Sequence, residues 1–195
     1  MPRLTAALSA ILLAALQAAC TDASTSVMPL PSTTSATSAS RLTASSEDEL
    51  PVHKIEILDA CDPASFDAVF GPGTCTRPGG FAFDKFIAEV TAKGEADAWR
   101  FATRNVNARV GQTLLAINRG GEVHTFTEVK KFGGGIIDPL NQLSGNTEVA
   151  PECKALAPSD FIAPGGSRSD EVEGAELYQC CIHPWMRTVV TVHGT

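Results

Sequence analysis

The chain has 195 residues, of which 15 are Lys or Arg and 22 are Asp or Glu, so its formal net charge is −7 at pH 7. An acidic chain without a cluster of basic residues is poorly suited to contact phosphate groups, so we expect no nucleic-acid binding. Residues 47–195, which follow two segments of different composition, have the size of one domain and can bury a hydrophobic core.

Residues 1–19 have the pattern of a secretory signal peptide. A single Arg precedes an apolar run that ends in small residues and is short for a membrane-spanning helix. We therefore predict an exported protein, periplasmic or at the cell surface. Cys20 stands where a lipoprotein signal places its lipidated cysteine, although Gln17 replaces the usual Leu. The alternatives are cleavage near Ala19 or Ala23 with release, and an uncleaved anchor.

Residues 20–46 are rich in Ser and Thr and poor in bulky apolar residues. Such a segment buries too little apolar surface to offset the entropy lost on ordering, so we predict a disordered tether. A lipid on Cys20 would make this tether a link between the folded domain and a membrane.

Short segments rich in apolar residues, separated by Gly and Pro, predict β-strands in the domain. These segments are 52–58, 86–91, 96–103, 106–118, 122–129, 177–181 and 188–193, and Phe161 leads into a turn at 163–167. Residues 92–95 would form a hairpin turn around Gly94, although 84–92 also fits the period of a helix. About eight strands predict an all-β Greek-key sandwich.

The stretch 133–159 has few strand signals, so we predict a long loop before the last two strands, with one helical turn as an option. It begins with three glycines, 133–135, which indicate a tight backbone crossing. Trp99 and Phe101 alternate along a predicted strand and are candidates for the core.

Three potential metal ligands lie three residues apart between the last two strands: Cys180, His183 and Met186. A thiolate, an imidazole and a thioether together form a ligand set that suits copper. A fourth ligand must come from elsewhere in the chain. His124, which follows a Gly-Gly turn, is the candidate.

This part of the chain resembles the cupredoxins, the type 1 (blue) copper proteins such as amicyanin, plastocyanin and pseudoazurin. In the short-loop type seen in amicyanin, a Tyr precedes a Cys-x-x-His-Pro-aromatic-Met-Arg loop that leads into a Val-rich strand. The matching residues here are Tyr178, Cys180, His183, Pro184, Trp185, Met186 and Arg187. With residues 118–119, His124 and the turn at 164–167, the resemblance covers roughly residues 100–195.

The resemblance implies one type 1 copper ion, with His124, Cys180 and His183 as a trigonal ligand set and Met186 as a long axial ligand. It also implies a carrier of single electrons between transient protein partners, and not an enzyme.

In the family, the edge of the second histidine reaches a surface patch where partners dock, so the resemblance implies a docking role for Pro184 and Trp185.

Two positions depart from the family pattern. Thr125 follows the upstream His where Asn is common, and Cys181 follows the ligand Cys where Thr is common. A Thr hydroxyl can still form a hydrogen bond between the two ligand loops.

The chain has six cysteines. Cys20 is either lipidated or removed, which leaves an odd number for an oxidising compartment. Adjacent strand residues point to opposite faces, so only one of Cys180 and Cys181 faces the metal, and the spacing to His183 favours Cys180. The four remaining cysteines predict two disulfides, Cys61–Cys75 and Cys153–Cys181.

Two other functions remain open at this point. One is a copper-binding or sequestering module without a redox role, and the other is a metal-free structural β-sandwich domain. Zinc is the rival metal because Cys180, Cys181 and His183 are competent zinc ligands, although no second Cys-x-x-Cys pair occurs. Oxidase activity is not expected, because a trinuclear copper site needs His-x-His pairs and the sequence has none.

Overall fold

The computed structural model describes residues 50–193. The predicted signal peptide (1–19), Cys20 and the predicted tether (20–46) lie outside the described residues, so these assignments stay predictions. Within residues 50–193, no helix combines the length and the hydropathy that crossing a bilayer requires.

The described residues form two four-stranded sheets, which confirms the predicted all-β sandwich. The strands are β1 (His53–Leu58), β2 (Arg100–Phe101), β3 (Asn105–Ala108), β4 (Thr113–Asn118), β5 (His124–Thr125), β6 (Thr127–Val129), β7 (Phe161–Ile162), β8 (Ser167–Glu171), β9 (Glu176–Gln179) and β10 (Arg187–Val192). One sheet has the order β2-β1-β4-β8, the other β3-β10-β9-β6, and β5 pairs with β7. The segments 106–118 and 122–129 each divide into two strands, and β8 was not predicted, so the number of strands exceeds the predicted eight although the segment 86–91 is not a strand.

Alternating burial along the strands places one face of each sheet in a shared core. Strand β1 buries Ile55 and Ile57, and the parallel neighbour β4 brings Ala116 opposite Ile55. Val106 of β3 and Val190 of β10 belong to the same buried cluster as these residues. Every second residue of these strands is buried, as expected for a strand with one face in the core and one face in solvent.

Between residues 50 and 193, three α-helices lie outside the sheets: α1 (Pro63–Phe70), α2 (Phe83–Lys93) and α3 (Asp138–Leu143). Two short 3-10 helices span Pro151–Lys154 and Pro158–Asp160. The predicted strand at 86–91 and the hairpin turn at 92–95 are wrong, and the helical alternative for 84–92 is confirmed. Phe86 and Val90, four residues apart, are buried, and Gly94 ends the helix with a φ of 77°.

Helix α1 was not predicted, although its start has a clear signal. The backbone N–H of Ser65 donates to Asp62 Oδ2 at 3.0 Å, and Pro63 stands at the first helical position. The predicted Cys61–Cys75 disulfide is present and ties the residues before this helix to those after it.

The stretch 133–159 also departs from the sheets, as predicted, and contains α3. The predicted Cys153–Cys181 disulfide is present and joins this stretch to the end of β9. The expected backbone crossing occurs at Gly135, where a Cβ atom would lie 2.0 Å from the carbonyl oxygen of Cys181. A larger residue at Gly135 would therefore displace the backbone at Cys181.

We expect Phe66→Ala to destabilise the domain by about 3–5 kcal/mol, because it opens a cavity in the contact between α1 and the sandwich. Phe66 is 1% exposed, and its ring centroid lies 5.8 Å from that of Trp99 and 5.7 Å from that of Phe86. Chemical denaturation measures the change. Phe70→Ala is the matched control, since Phe70 is 61% exposed, and equal losses in the two variants would contradict this packing.

Candidate metal centre

Three of the four predicted ligands come together in the structure. Donor atoms of His124, Cys180 and His183 lie within 4.8 Å of one another, and all three residues are buried. His124 begins β5, Cys180 directly follows β9, and His183 lies in the loop before β10. The two imidazole ring centroids are 5.1 Å apart. The short loop and the upstream segment therefore converge, as the sequence predicts.

The loop that carries Cys180, His183 and Met186 is closed by its own backbone. The N–H of Cys180 donates to the carbonyl oxygen of Met186 at 3.0 Å, and the N–H of Met186 donates to that of His183 at 2.9 Å. Met186 is 1% exposed. These bonds fix the spacing of the three residues, and the axial role of Met186 stays a prediction.

The sulfur of Cys180 and the Nδ1 atom of His124 have the separation that a bound metal needs. Cys180 Sγ lies 3.8 Å from His124 Nδ1. Thiolate and imidazole bonds to an ion such as Zn²⁺ are about 2.3 and 2.0 Å long, so an ion between the two atoms requires a separation below about 4.3 Å. The buried Nδ1 atom of His183 has no hydrogen-bond partner among the described residues. A metal ligand role explains such an unpaired buried nitrogen.

A carboxylate that the sequence did not single out orients His124. Asp59 Oδ2 lies 2.8 Å from His124 Nε2, and the Asp59 side chain is 1% exposed. The N–H groups of Gly121 and Glu122 also donate to this carboxylate, at 2.9 and 3.1 Å. A Cβ atom on Gly120 would lie 1.8 Å from Asp59 Oδ2, so only glycine allows this approach. With Nε2 held, Nδ1 is the nitrogen left for a metal.

Burial and neighbouring charges act in opposite directions on the pKa values at this centre. Burial raises the pKa of Asp59, but the hydrogen bond and charge of His124 and the backbone N–H donors outweigh it and lower that pKa to about 2. Burial lowers the pKa of His124, but Asp59 and Cys180 raise it to about 9. Burial raises the pKa of Cys180, but His124 and His183 hold it well below its usual range. The lowered pKa favours the thiolate, the form that binds metals.

His183 is covered by aromatic rings. Its ring centroid lies 6.1 Å from that of Phe86 on α2 and 5.5 Å from that of Trp185. The Nε2 atom of His183 lies 3.8 Å from Glu122 Oε2. This carboxylate oxygen accepts a hydrogen bond from Trp99 Nε1 at 2.5 Å. Burial raises the pKa of Glu122. Neither Glu122 nor helix α2 was predicted as part of the site.

The predicted docking residues are not at the surface. Pro184 is buried, and Trp185 is 8% exposed, with its Nε1 donating to the carbonyl oxygen of Trp99 at 3.1 Å. Helix α2 packs over this loop through Phe86, whose ring lies 6.1 Å from that of Trp185. This burial disagrees with the expectation that the two side chains offer a patch to partners.

Cys180 and Cys181 have separate roles, as the alternation argument predicts. Cys181 is bonded to Cys153, whereas Cys180 is free and buried. A zinc set of Cys180, Cys181 and His183 is therefore not available. A second group of possible ligands, Asp59, Cys61 and Glu122, lacks a thiolate because Cys61 is also disulfide-bonded.

Thr125 makes the connection between the ligand loops that the sequence left open. Its Oγ1 accepts a hydrogen bond from the N–H of Cys181 at 2.8 Å. Its own N–H approaches Cys180 Sγ at 3.5 Å. The hydroxyl thus replaces the Asn of the cupredoxin pattern in joining the upstream segment to the Cys180 loop.

A scan against protein-family models found no match, and neither did a search of the curated proteins. Among solved structures, a purple cupredoxin from Nitrosopumilus maritimus matches 72% of this chain and 99% of its own, with 17% identity and a TM-score of 0.40. A mutant of amicyanin in its reduced Cu(I) form at pH 4 matches 50% of this chain and 76% of its own, with 24% identity and a TM-score of 0.33. An oxidized amicyanin mutant matches 48% of this chain and 73% of its own, with 22% identity and a TM-score of 0.32.

We expect Thr125→Val to lower the free energy of unfolding by about 1–3 kcal/mol, because the buried N–H of Cys181 loses its acceptor. The substitution keeps the side-chain shape, so the loss reports the hydrogen bond. Thr91→Val is the control, since Thr91 is exposed and bonds only within α2. An unchanged stability in Thr125→Val would show that the bond contributes nothing.

Asp59→Asn should weaken metal binding by about 10- to 100-fold, because the imidazole of His124 loses the carboxylate that orients it. Competition with a chromogenic Cu(I) chelator measures the affinity. Asp97→Asn is the matched control, as the Asp97 side chain is 65% exposed. A folded Asp59→Asn protein with unchanged affinity would contradict the orienting role.

Proposed function

We propose that this chain is an exported mononuclear type 1 copper protein that carries single electrons between redox partners. The observation that carries the proposal is the buried cluster of one thiolate and two imidazoles, in which His183 Nδ1 has no other partner among residues 50–193. When bound, copper supplies reversible exchange between Cu(II) and Cu(I).

The donor set favours copper over the other common metals. Two His and one Cys with a weak Met ligand is the arrangement of type 1 copper sites, whereas structural zinc sites close with four strong ligands. Here the second thiol, Cys181, is held in a disulfide, so Met186 is the further soft donor that the same loop offers.

The chain's own residues keep the ligands in place in both oxidation states. Asp59 holds one imidazole, Thr125 links the two ligand segments, and the backbone bonds of Met186 close the loop. All three ligand residues are buried, so water has little access to the sulfur. A site that does not rearrange loses little energy on each electron transfer.

Export and partner binding belong to the same proposal. The pattern of residues 1–19 and the two disulfides suit an oxidising compartment outside the cytoplasm. Lipidation of Cys20 would add a membrane tether. The partners would be redox proteins that bind transiently, and the chain itself would not be an enzyme.

A second candidate, copper sequestration without a redox role, is favoured by one observation. His183 is 3% exposed, so its imidazole does not reach the surface as an electron-transfer ligand does in the family that the sequence resembles. Both functions use the same ligands. Cyclic voltammetry of the copper-loaded protein separates them, since the carrier predicts a reversible Cu(II)/Cu(I) wave and sequestration predicts none.

Anaerobic titration of the metal-free protein with Cu(II) tests the proposal. We expect an intense blue or purple thiolate-to-copper absorption that saturates at one equivalent, together with a higher melting temperature. Cys180→Ser should abolish the band, whereas Cys20→Ser, outside the domain, should keep it. A colourless complex, or a band that survives in Cys180→Ser, would refute the proposed site.

A further inference from the structure

An apolar cavity lies next to the metal centre, outside the sandwich. Its volume is about 490 Å³, which falls within the range of small-molecule sites of about 300–1,000 Å³. Residues of α1 and α2 and the beginning of α3 form its walls. Helix α2, which covers His183 through Phe86, therefore helps to enclose a space large enough for an organic molecule.

The walls and the inner end of this cavity differ in chemistry. Four aromatic rings contribute to the walls: Phe66, Phe70, Phe83 and Phe86. Glu122 and His183 are the charged or titratable groups that line it. Aromatic walls favour a flat apolar ligand, and two polar groups beside each other fix its orientation.

Glu122 has a free acceptor at this position. Its Oε2 atom accepts from Trp99 Nε1, and no hydrogen bond to Oε1 occurs within the part of the chain that is described. The Glu122 side chain is 11% exposed and lines the cavity. A ligand that donates a hydrogen bond would satisfy this oxygen.

The mouth of the cavity is apolar and accessible. Val69 is 53% exposed, Phe70 is 61% exposed and Ile137 is 37% exposed, and all three line the cavity. Large apolar side chains that remain exposed together around a concave site indicate a binding function. This rim would suit an apolar ligand that enters from solvent.

We propose that this cavity binds a small neutral aromatic alcohol, of the phenol or hydroquinone class, with its ring between the phenylalanines and its hydroxyl donating to Glu122. The site is formed by the protein alone, so the proposal does not require a bound metal and goes beyond the electron-carrier function. If both proposals hold, the ligand lies beside His183, at one side of the copper ligand set.

Isothermal titration calorimetry of the metal-free protein under anaerobic conditions tests this site with hydroquinone as the probe. We expect saturable binding at one site per chain. 1,4-Dimethoxybenzene has the same ring but no hydroxyl donor, and it should bind at least tenfold more weakly. Glu122→Gln should weaken hydroquinone binding and reduce the difference between the two probes.

Val69→Trp places a large ring at the mouth from an exposed position and should weaken hydroquinone binding at least tenfold. Val110→Trp is the matched control, since Val110 is 58% exposed and does not line the cavity. Far-UV circular dichroism and the melting temperature establish that both variants fold.

Three results would overturn the proposal: no saturable binding to the unmutated protein, equal affinity for the two probes, or unchanged binding in Val69→Trp. None of these results depends on copper. The absence of a copper absorption band would refute the electron-carrier function and leave this test intact.

Discussion

The hydrogen bond between Asp59 and His124 sets the orientation on which the site depends. Asp59 follows β1, in one sheet, and it contacts an imidazole at the start of β5. Because Nε2 is held, Nδ1 faces Cys180, and the imidazole lowers the pKa of the Cys180 thiol, which favours the thiolate. A buried carboxylate, an imidazole and a thiolate thus support one another, and each would be costly to bury alone.

The helices determine which surfaces near the ligand loop are buried and which are accessible. Helix α2 places Phe86 over His183 and Trp185, so the loop that carries three predicted ligands is covered. Burial favours a dry and rigid metal site, which suits both electron transfer and metal retention. With the loop covered, the accessible apolar surface near the site lies at the rim of the helix-lined cavity. A ligand that enters this cavity would therefore reach His183 between residues of α1, α2 and α3.

Local patterns in the sequence were sufficient to predict the all-β sandwich, and the number of cysteines was sufficient to predict both disulfides. Cys180, His183 and Met186 are close in sequence, and the parity of the cysteines left one thiol for the metal. Helix α2 was harder to predict because 84–92 fits a strand and a helix, and packing of Phe86 and Val90 against the core decides between them. The contacts of Asp59 and Glu122 depend on tertiary structure, and nothing local distinguishes these two residues among 22 acidic residues.

X-ray absorption spectroscopy at the copper edge tests the proposed ligand set of His124, Cys180 and His183, because it reports the atoms bound to the metal. The account predicts a first shell of one short copper–sulfur bond and two copper–nitrogen bonds to imidazole, in both oxidation states, with little change in these bond lengths on reduction. A first shell made only of nitrogen and oxygen would contradict it, since His124 and His183 would then bind copper without the Cys180 thiolate.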